Sequence, residues 1–193
     1  MSSESRAEMY LPHFVVKQKL TMMINRYEVS ESDEAGNPTR LMALAEQKRM
    51  AFKEQVTFFA DAGKSRAVFG FKARKKLDLN AGYDITDESG AQIGFFKKDF
   101  GASLLRSTFH IEGPGYSGTG QERNAVVGLL RRFADLDFIP IHFDFVDAQG
   151  SPLFSVERKM SIGDRYRVTV PDPRVDFRVA AAVAVALDAL MSR

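Results

Sequence analysis

Short runs in which apolar and polar residues alternate recur along this chain, separated by turn residues. Phe14, Val16 and Leu20 share one side of an extended run, with Lys17 and Lys19 on the other. Leu105, Ser107, Phe109 and Ile111 alternate with Arg106, Thr108 and His110, and Tyr166, Val168 and Val170 with Arg165, Arg167 and Thr169. A period of two marks a strand with one buried and one wet face. The pattern predicts strands at about 13–20, 23–31, 40–48, 54–61, 65–75, 82–88, 92–99, 104–112, 115–121, 141–147, 152–160 and 164–171. A repeat runs through them. Tyr83-Asp84, Asp87 and Gly90 are echoed by Phe143-Asp144, Asp147 and Gly150, and more loosely by Tyr27-Glu28 and Gly36. Each copy is a strand, an acidic turn with glycine, and a strand ending in basic residues (Lys48-Arg49, Lys97-Lys98, Arg158-Lys159). Glycine supplies positive φ in such a turn and aspartate caps its amides. Repeated hairpins point to a pseudo-symmetric barrel.

Two segments break this period. From Arg123 to Asp135, Val126, Leu129, Leu130 and Phe133 fall at helical spacing, which predicts an amphipathic helix. From Asp176 to Met191 the pattern predicts a second helix, started by Asp172-Pro173 or Asp176. Between Val179 and Leu190 its only polar residue is Asp188. A helix that is apolar on every side is buried on every side. A barrel of about twelve strands is wider than its own side chains can fill. This helix, rich in Ala and Val, suits its interior. Asp188 then needs a partner near the barrel mouth, either Arg193 or a strand residue. The fold expected is mainly β: a closed, mainly antiparallel barrel of about 12 strands around a buried apolar C-terminal helix, plus one amphipathic helix. Residues 1–9 form a tail and 10–193 a single domain.

Composition narrows the function classes. The 193 residues carry a net charge of +2, so there is no strong global field for nucleic acid, and any anion must be held by a local patch. With no cysteine there are no disulfides, thiolate metal sites, cysteine nucleophiles or palmitoylation, which fits a cytoplasmic setting. The start of the chain is polar and lacks the apolar stretch of a signal peptide. The longest apolar run, Val179 to Leu187, is shorter than the ~20 residues that cross a bilayer.

The opening Tyr10 to Leu20 (YLPHFVVKQKL), the hairpin Tyr83 to Lys98 (YDITDESGAQIGFFKK) and the closing Asp176 to Leu190 (DFRVAAAVAVALDAL) resemble the tubby C-terminal-like superfamily. That superfamily includes tubby proteins, LURP-one-related proteins and phospholipid scramblases, and the chain is most similar to the LURP-one-related group. The resemblance covers nearly the whole chain and implies a barrel of twelve strands around a C-terminal helix. Tubby proteins bind phosphoinositide headgroups through Lys and Arg on a strand and its flank. The run Phe71 to Lys76, followed by Tyr83, is similar to that basic strand. The chain lacks the cysteine-rich segment of scramblases and any clear calcium loop.

The basic run is also the best candidate site on its own chemistry. On a strand, Lys72, Arg74 and Lys76 share one face, opposite Phe69 and Phe71. Cations at about 7 Å intervals can bracket phosphate oxygens. Lys97 and Lys98 extend the patch. The alternative is a solvated outer face or protection of a strand edge. Gly113 to Gly118 matches the glycine spacing of a dinucleotide-binding turn, but among hairpins it reads as a glycine-rich strand or loop. His13, His110 and His142 lie on separate predicted strands without ligand spacing, and Asp84, Asp87, Asp144 and Asp147 read as turn caps.

The expected function is a non-enzymatic binding module for anionic phospholipid or phosphoinositide headgroups, cytoplasmic and peripheral to a membrane, with no cofactor, metal or nucleic acid. The alternatives are a scaffold that meets a protein partner and an enzyme or transporter with a small ligand at the barrel mouth.

Overall fold

The computed structural model describes residues 9–20, 24–48, 55–75, 82–99, 107–123, 142–159 and 165–191. Its strands are β1 (His13–Leu20), β2 (Ile24–Ser32), β3 (Pro38–Lys48), β4 (Gln55–Phe59), β5 (Ala67–Ala73), β6 (Tyr83–Asp87), β7 (Gln92–Asp99), β8 (Thr108–Gly113), β9 (Tyr116–Glu122), β10 (His142–Val146), β11 (Pro152–Lys159) and β12 (Arg165–Thr169). Helix α1 spans Phe177–Met191. Every strand pairs antiparallel with its sequence neighbours, and β12 pairs with β1 to close the barrel. All twelve strands and the C-terminal helix match the sequence expectation. The amphipathic helix expected at 123–135 lies outside the described residues, apart from Arg123.

Most inward positions are aromatic, β-branched or small. Three aromatic pairs stack across neighbouring strands: Phe58 on Phe69, Tyr83 on Phe96, and Phe145 on Phe154, at 4.2, 4.8 and 4.2 Å. Such cross-strand pairs stabilise a sheet by about 0.5–1.5 kcal/mol each beyond burial. Small inward residues make room for α1 and for these rings. A Cβ at Gly94 would sit 2.8 Å from Val179 Cγ2 on α1, and one at Gly120 would overlap the ring of Phe145. Phe177 opens the helix edge-on to Phe14 and Phe69.

Asp176 starts α1. Its Oδ1 accepts the Arg178 amide at 2.9 Å and its carbonyl accepts the Val179 amide at 3.0 Å. From Val179 to Leu187 every residue is fully buried, so the helix is enclosed on all sides. At its far end Asp188, 3% exposed, meets two strand residues. Tyr27 donates to its Oδ2 at 2.9 Å and Tyr166 donates to its Oδ1. Gln18 donates in turn to the Tyr27 oxygen at 3.3 Å. Burial, and then the Asp188 carboxylate, push the Tyr27 phenol above its ordinary value, so it remains a donor. These contacts fix the depth and rotation of α1.

The sequence repeat is a structural threefold of four strands each. Three hairpin turns superimpose in their bonding: in Asp33, Asp87 and Asp147 the carbonyl accepts the amide of the glycine three residues on, at 2.9, 3.1 and 3.0 Å. Those glycines, Gly36, Gly90 and Gly150, have φ of 85°, 84° and 81°. Each aspartate also takes the amide four residues on with its side chain. The β4–β5 turn copies the geometry with Lys64 in the glycine position at φ 55°. The glycines at 113–118 belong to the β8–β9 hairpin, where Pro114 and Gly115 (φ 81°) form the turn.

Two outcomes follow from the enclosed helix. Val183→Asp places an unpaired charge in a site of zero exposure, a cost of several kcal/mol against a total stability of about 5–15. It should yield no cooperative thermal transition by circular dichroism, and a soluble variant melting within a few degrees of the parent would refute the placement of α1. Tyr27→Phe removes one donor to the buried Asp188 and should cost about 1.5–3 kcal/mol, read as a lower denaturation midpoint at unchanged slope.

Candidate functional site

Antiparallel pairing places three charge pairs at equivalent positions of the threefold. Lys17 stands opposite Glu28, and Lys19, two residues on, bonds Glu28 at 2.7 Å. Lys72 stands opposite Asp84, and Arg74 bonds Asp84 at 2.9 Å. Gln121 stands opposite Asp144, and Arg123 bonds Asp144 at 2.7 Å. The Arg123 hydrogen bond, foremost, holds the Asp144 carboxyl below the usual range. The acids Asp84 and Asp144 therefore anchor arginines just past a strand end, a role distinct from the turn caps at Asp87 and Asp147.

The middle copy holds the basic run. Strand β5 ends at Ala73, so Lys72 lies on the strand, Arg74 and Lys75 lie in the bend after it, and Lys76 falls outside the described residues. The backbone amide of Arg74 still donates to the Gly82 carbonyl at 3.0 Å, which continues the register one step past the strand. The Arg74 guanidinium lies 4.0 Å above the ring of Phe95. Phe95 in turn covers Gly82, where a Cβ would overlap its ring. A guanidinium fixed by a carboxylate on one side and a ring beneath is held ready, with less ordering left to do on binding an anion.

Beside it, the outer face of β4, β5 and β6 carries a cleft of about 470 Å³. The outward position at its centre is Gly70, where a Cβ would come within 2.7 Å of the Val56 carbonyl oxygen. Gln55, Thr57 and Thr86 supply amide and hydroxyl walls, Lys72 and Arg74 form a basic lip, and the lining also includes Asp84, bonded to Arg74, and the turn cap Asp87. Lys72, Arg74 and Lys75 are exposed. The register carries the row from Arg74 through Gly82 to Lys97 on β7, so Lys97 shares the outward face, roughly 10 Å away at two strand spacings. Lys98 does not. It stands opposite Phe109, which is fully buried, and so falls on the inward side of β7. The structure thus brings Lys72, Arg74 and Lys97 to one face and separates Lys98 from them.

Sequence reasoning missed the partners Asp84 and Phe95 and the glycine-floored cleft. The alternation that put Lys72 and Arg74 together was visible, but the pairing of β5 with β6 and β6 with β7 was needed to bring in the rest. Among the described residues no group of three or more His, Asp or Glu is placed to hold a metal ion, and no helix is long and apolar enough to cross a membrane.

Comparison with known proteins adds a family. No curated protein sequence matches the chain. A porin-like protein from Bacteroides uniformis is similar in structure over 84% of this chain and 97% of its own, at 9% identity and a TM-score of 0.23, a likeness too slight to bear on fold or function. The model of the LURP-one-related family matches residues 42–188, from β3 through Asp188 of the central helix. With that match spanning most of the barrel and its helix, the chain belongs to the LURP-one-related family, within the tubby C-terminal-like superfamily.

Proposed function

We propose that this protein is a non-enzymatic binding module for anionic phospholipid headgroups, and that the outer face around the end of β5 is its site. The observation that carries the reading is the distribution of cations. Most arginines and lysines with described side chains are tied to an acid or a carbonyl. Lys72, Lys75 and Lys97 have no ion-pair partner among the described residues, and they gather around Arg74. The amide and hydroxyl walls of the Gly70 cleft suit a headgroup with hydroxyls as well as phosphate. The filled interior favours surface binding over conversion of an enclosed substrate, because α1 and the inward aromatic residues occupy the space an internal pocket would need. In this reading the protein is cytoplasmic and meets the membrane peripherally.

The test is co-sedimentation with vesicles of phosphatidylcholine alone or with phosphatidylserine or a phosphoinositide, at low and physiological salt. Binding should require the anionic lipid and weaken with salt, since exposed charges are screened within about 8–10 Å. It should be lost in Lys72→Glu/Arg74→Glu. Because Lys72→Glu and Arg74→Glu both face Asp84 with a like charge, Lys72→Gln/Lys75→Gln is run beside it. That variant breaks no described ion pair, so it should melt like the parent yet fail to sediment. Absence of binding under every condition would overturn the reading and leave a protein-partner scaffold in its place.

A further inference from the structure

The seam where the barrel closes holds a second group of unpaired cations. Strands β12 and β1 pair so that Arg165 stands directly opposite Lys17. Both face outward, because their neighbours Tyr166, Val16 and Gln18 are buried on the inner side. Both are half-buried. Residues directly opposite on antiparallel strands have Cβ atoms about 4.5–5.5 Å apart, and like charges there are destabilising. Among the described residues neither side chain has a hydrogen bond or an ion pair. Three acids lie nearby, and none is bonded to Lys17 or Arg165 among the described residues. Glu28, on the far side of Lys17, is bonded by Lys19 at 2.7 Å. Glu46 takes Arg26 and Lys64. Glu157, diagonal to Arg165 on β11, stands opposite Arg167.

The threefold gives this arrangement a meaning. Lys17 occupies the slot that Lys72 holds in the second copy and Gln121 in the third. The residue opposite each on the preceding strand is Arg165, Gln55 and Thr108 in turn. One structural slot therefore carries two opposed cations at the seam, one cation beside an amide at the Gly70 cleft, and two neutral residues in the third copy. A chain that keeps two cations face to face, neither bonded to an acid among the described residues, has a place for an anion that both can bond.

We propose that Lys17 and Arg165 form an oxyanion-binding clamp for a phosphate monoester, with the fork of Arg165 and the ammonium of Lys17 on two of its oxygens. Lys19, two residues along the same face, adds a third cation when it leaves Glu28. The clamp lies four strands from β5, a third of the way round the barrel. The two sites therefore face different directions, and the clamp stands independently of the headgroup reading. A soluble phosphate and a lipid phosphate present the same chemistry.

The experiment distinguishes these sources. Amide spectra of ¹⁵N-labelled protein are followed during titration with inorganic phosphate, with sodium chloride at matched ionic strength as the control. Co-sedimentation with phosphatidylcholine vesicles containing phosphatidic acid runs in parallel. Saturable shifts centred on residues 17 and 165, present in Lys72→Gln/Lys75→Gln and weakened at least about tenfold in Lys17→Gln/Arg165→Gln, establish the clamp for soluble phosphate. Sedimentation lost only in the Lys17→Gln/Arg165→Gln variant, without shifts from inorganic phosphate, establishes it for a lipid phosphate. Binding of neither probe, or binding unchanged in that variant, overturns the proposal. The variant's folding is checked by its melt, which should not fall, because it removes a like-charge contact.

Discussion

A closed barrel of twelve strands encloses more space than its own inward side chains can occupy, and a void of that size is not stable in water. Filling it with the chain's last helix is the constraint on which the rest of this structure depends. The helix must be apolar all round, because no face of it meets solvent between Val179 and Leu187. It must also be thin, which the alternation of Ala and Val achieves, while the strands make up the remaining volume with phenylalanine. Where β7 faces Val179 of the helix, the strand has no side chain, at Gly94. The one polar residue of the enclosed stretch, Asp188, lies where Tyr27 and Tyr166 can satisfy it, so a buried carboxylate also acts as the stop that sets how deep the helix sits.

With the interior committed to packing, the three copies are free to differ on the outer face. The threefold organises that face. The second strand of each copy carries an acid that holds a cation two positions beyond the residue opposite it, and continues into a turn closed by an aspartate and a glycine of positive φ. The turns are the same because their geometry admits few residues. The outward slots are free to differ, and they do: two opposed cations at the seam, a lysine above a glycine-floored cleft at β5, and neutral residues in the third copy. Equivalent backbone positions with unequal charge are how a repeated scaffold acquires distinct surfaces without altering its core.

Much of this was legible along the chain. The period of two marked the strands and the uniform apolarity of residues 179–187 marked the buried helix, because burial acts on residue type directly. The turns at Asp87 and Asp147 could be recognised by their aspartate and glycine, since only certain residues cap amides or take positive φ cheaply. The grouping of Lys72 with Arg74 was visible from the same alternation. Lys98 was not separable from Lys97 in this way: adjacent residues on a strand face opposite sides, and only the pairing of Lys98 with the buried Phe109 shows which side is inside.

What the tertiary structure alone decided is who meets whom across strands. Asp84 and Phe95 come to Arg74 from β6 and β7, and Arg165 comes to Lys17 from the other end of the chain. Local sequence determines a residue's conformation and its preference for water, which are properties of the residue and its near neighbours. Register and closure are set by the packing of all twelve strands around α1 at once, and no short window of sequence contains that information.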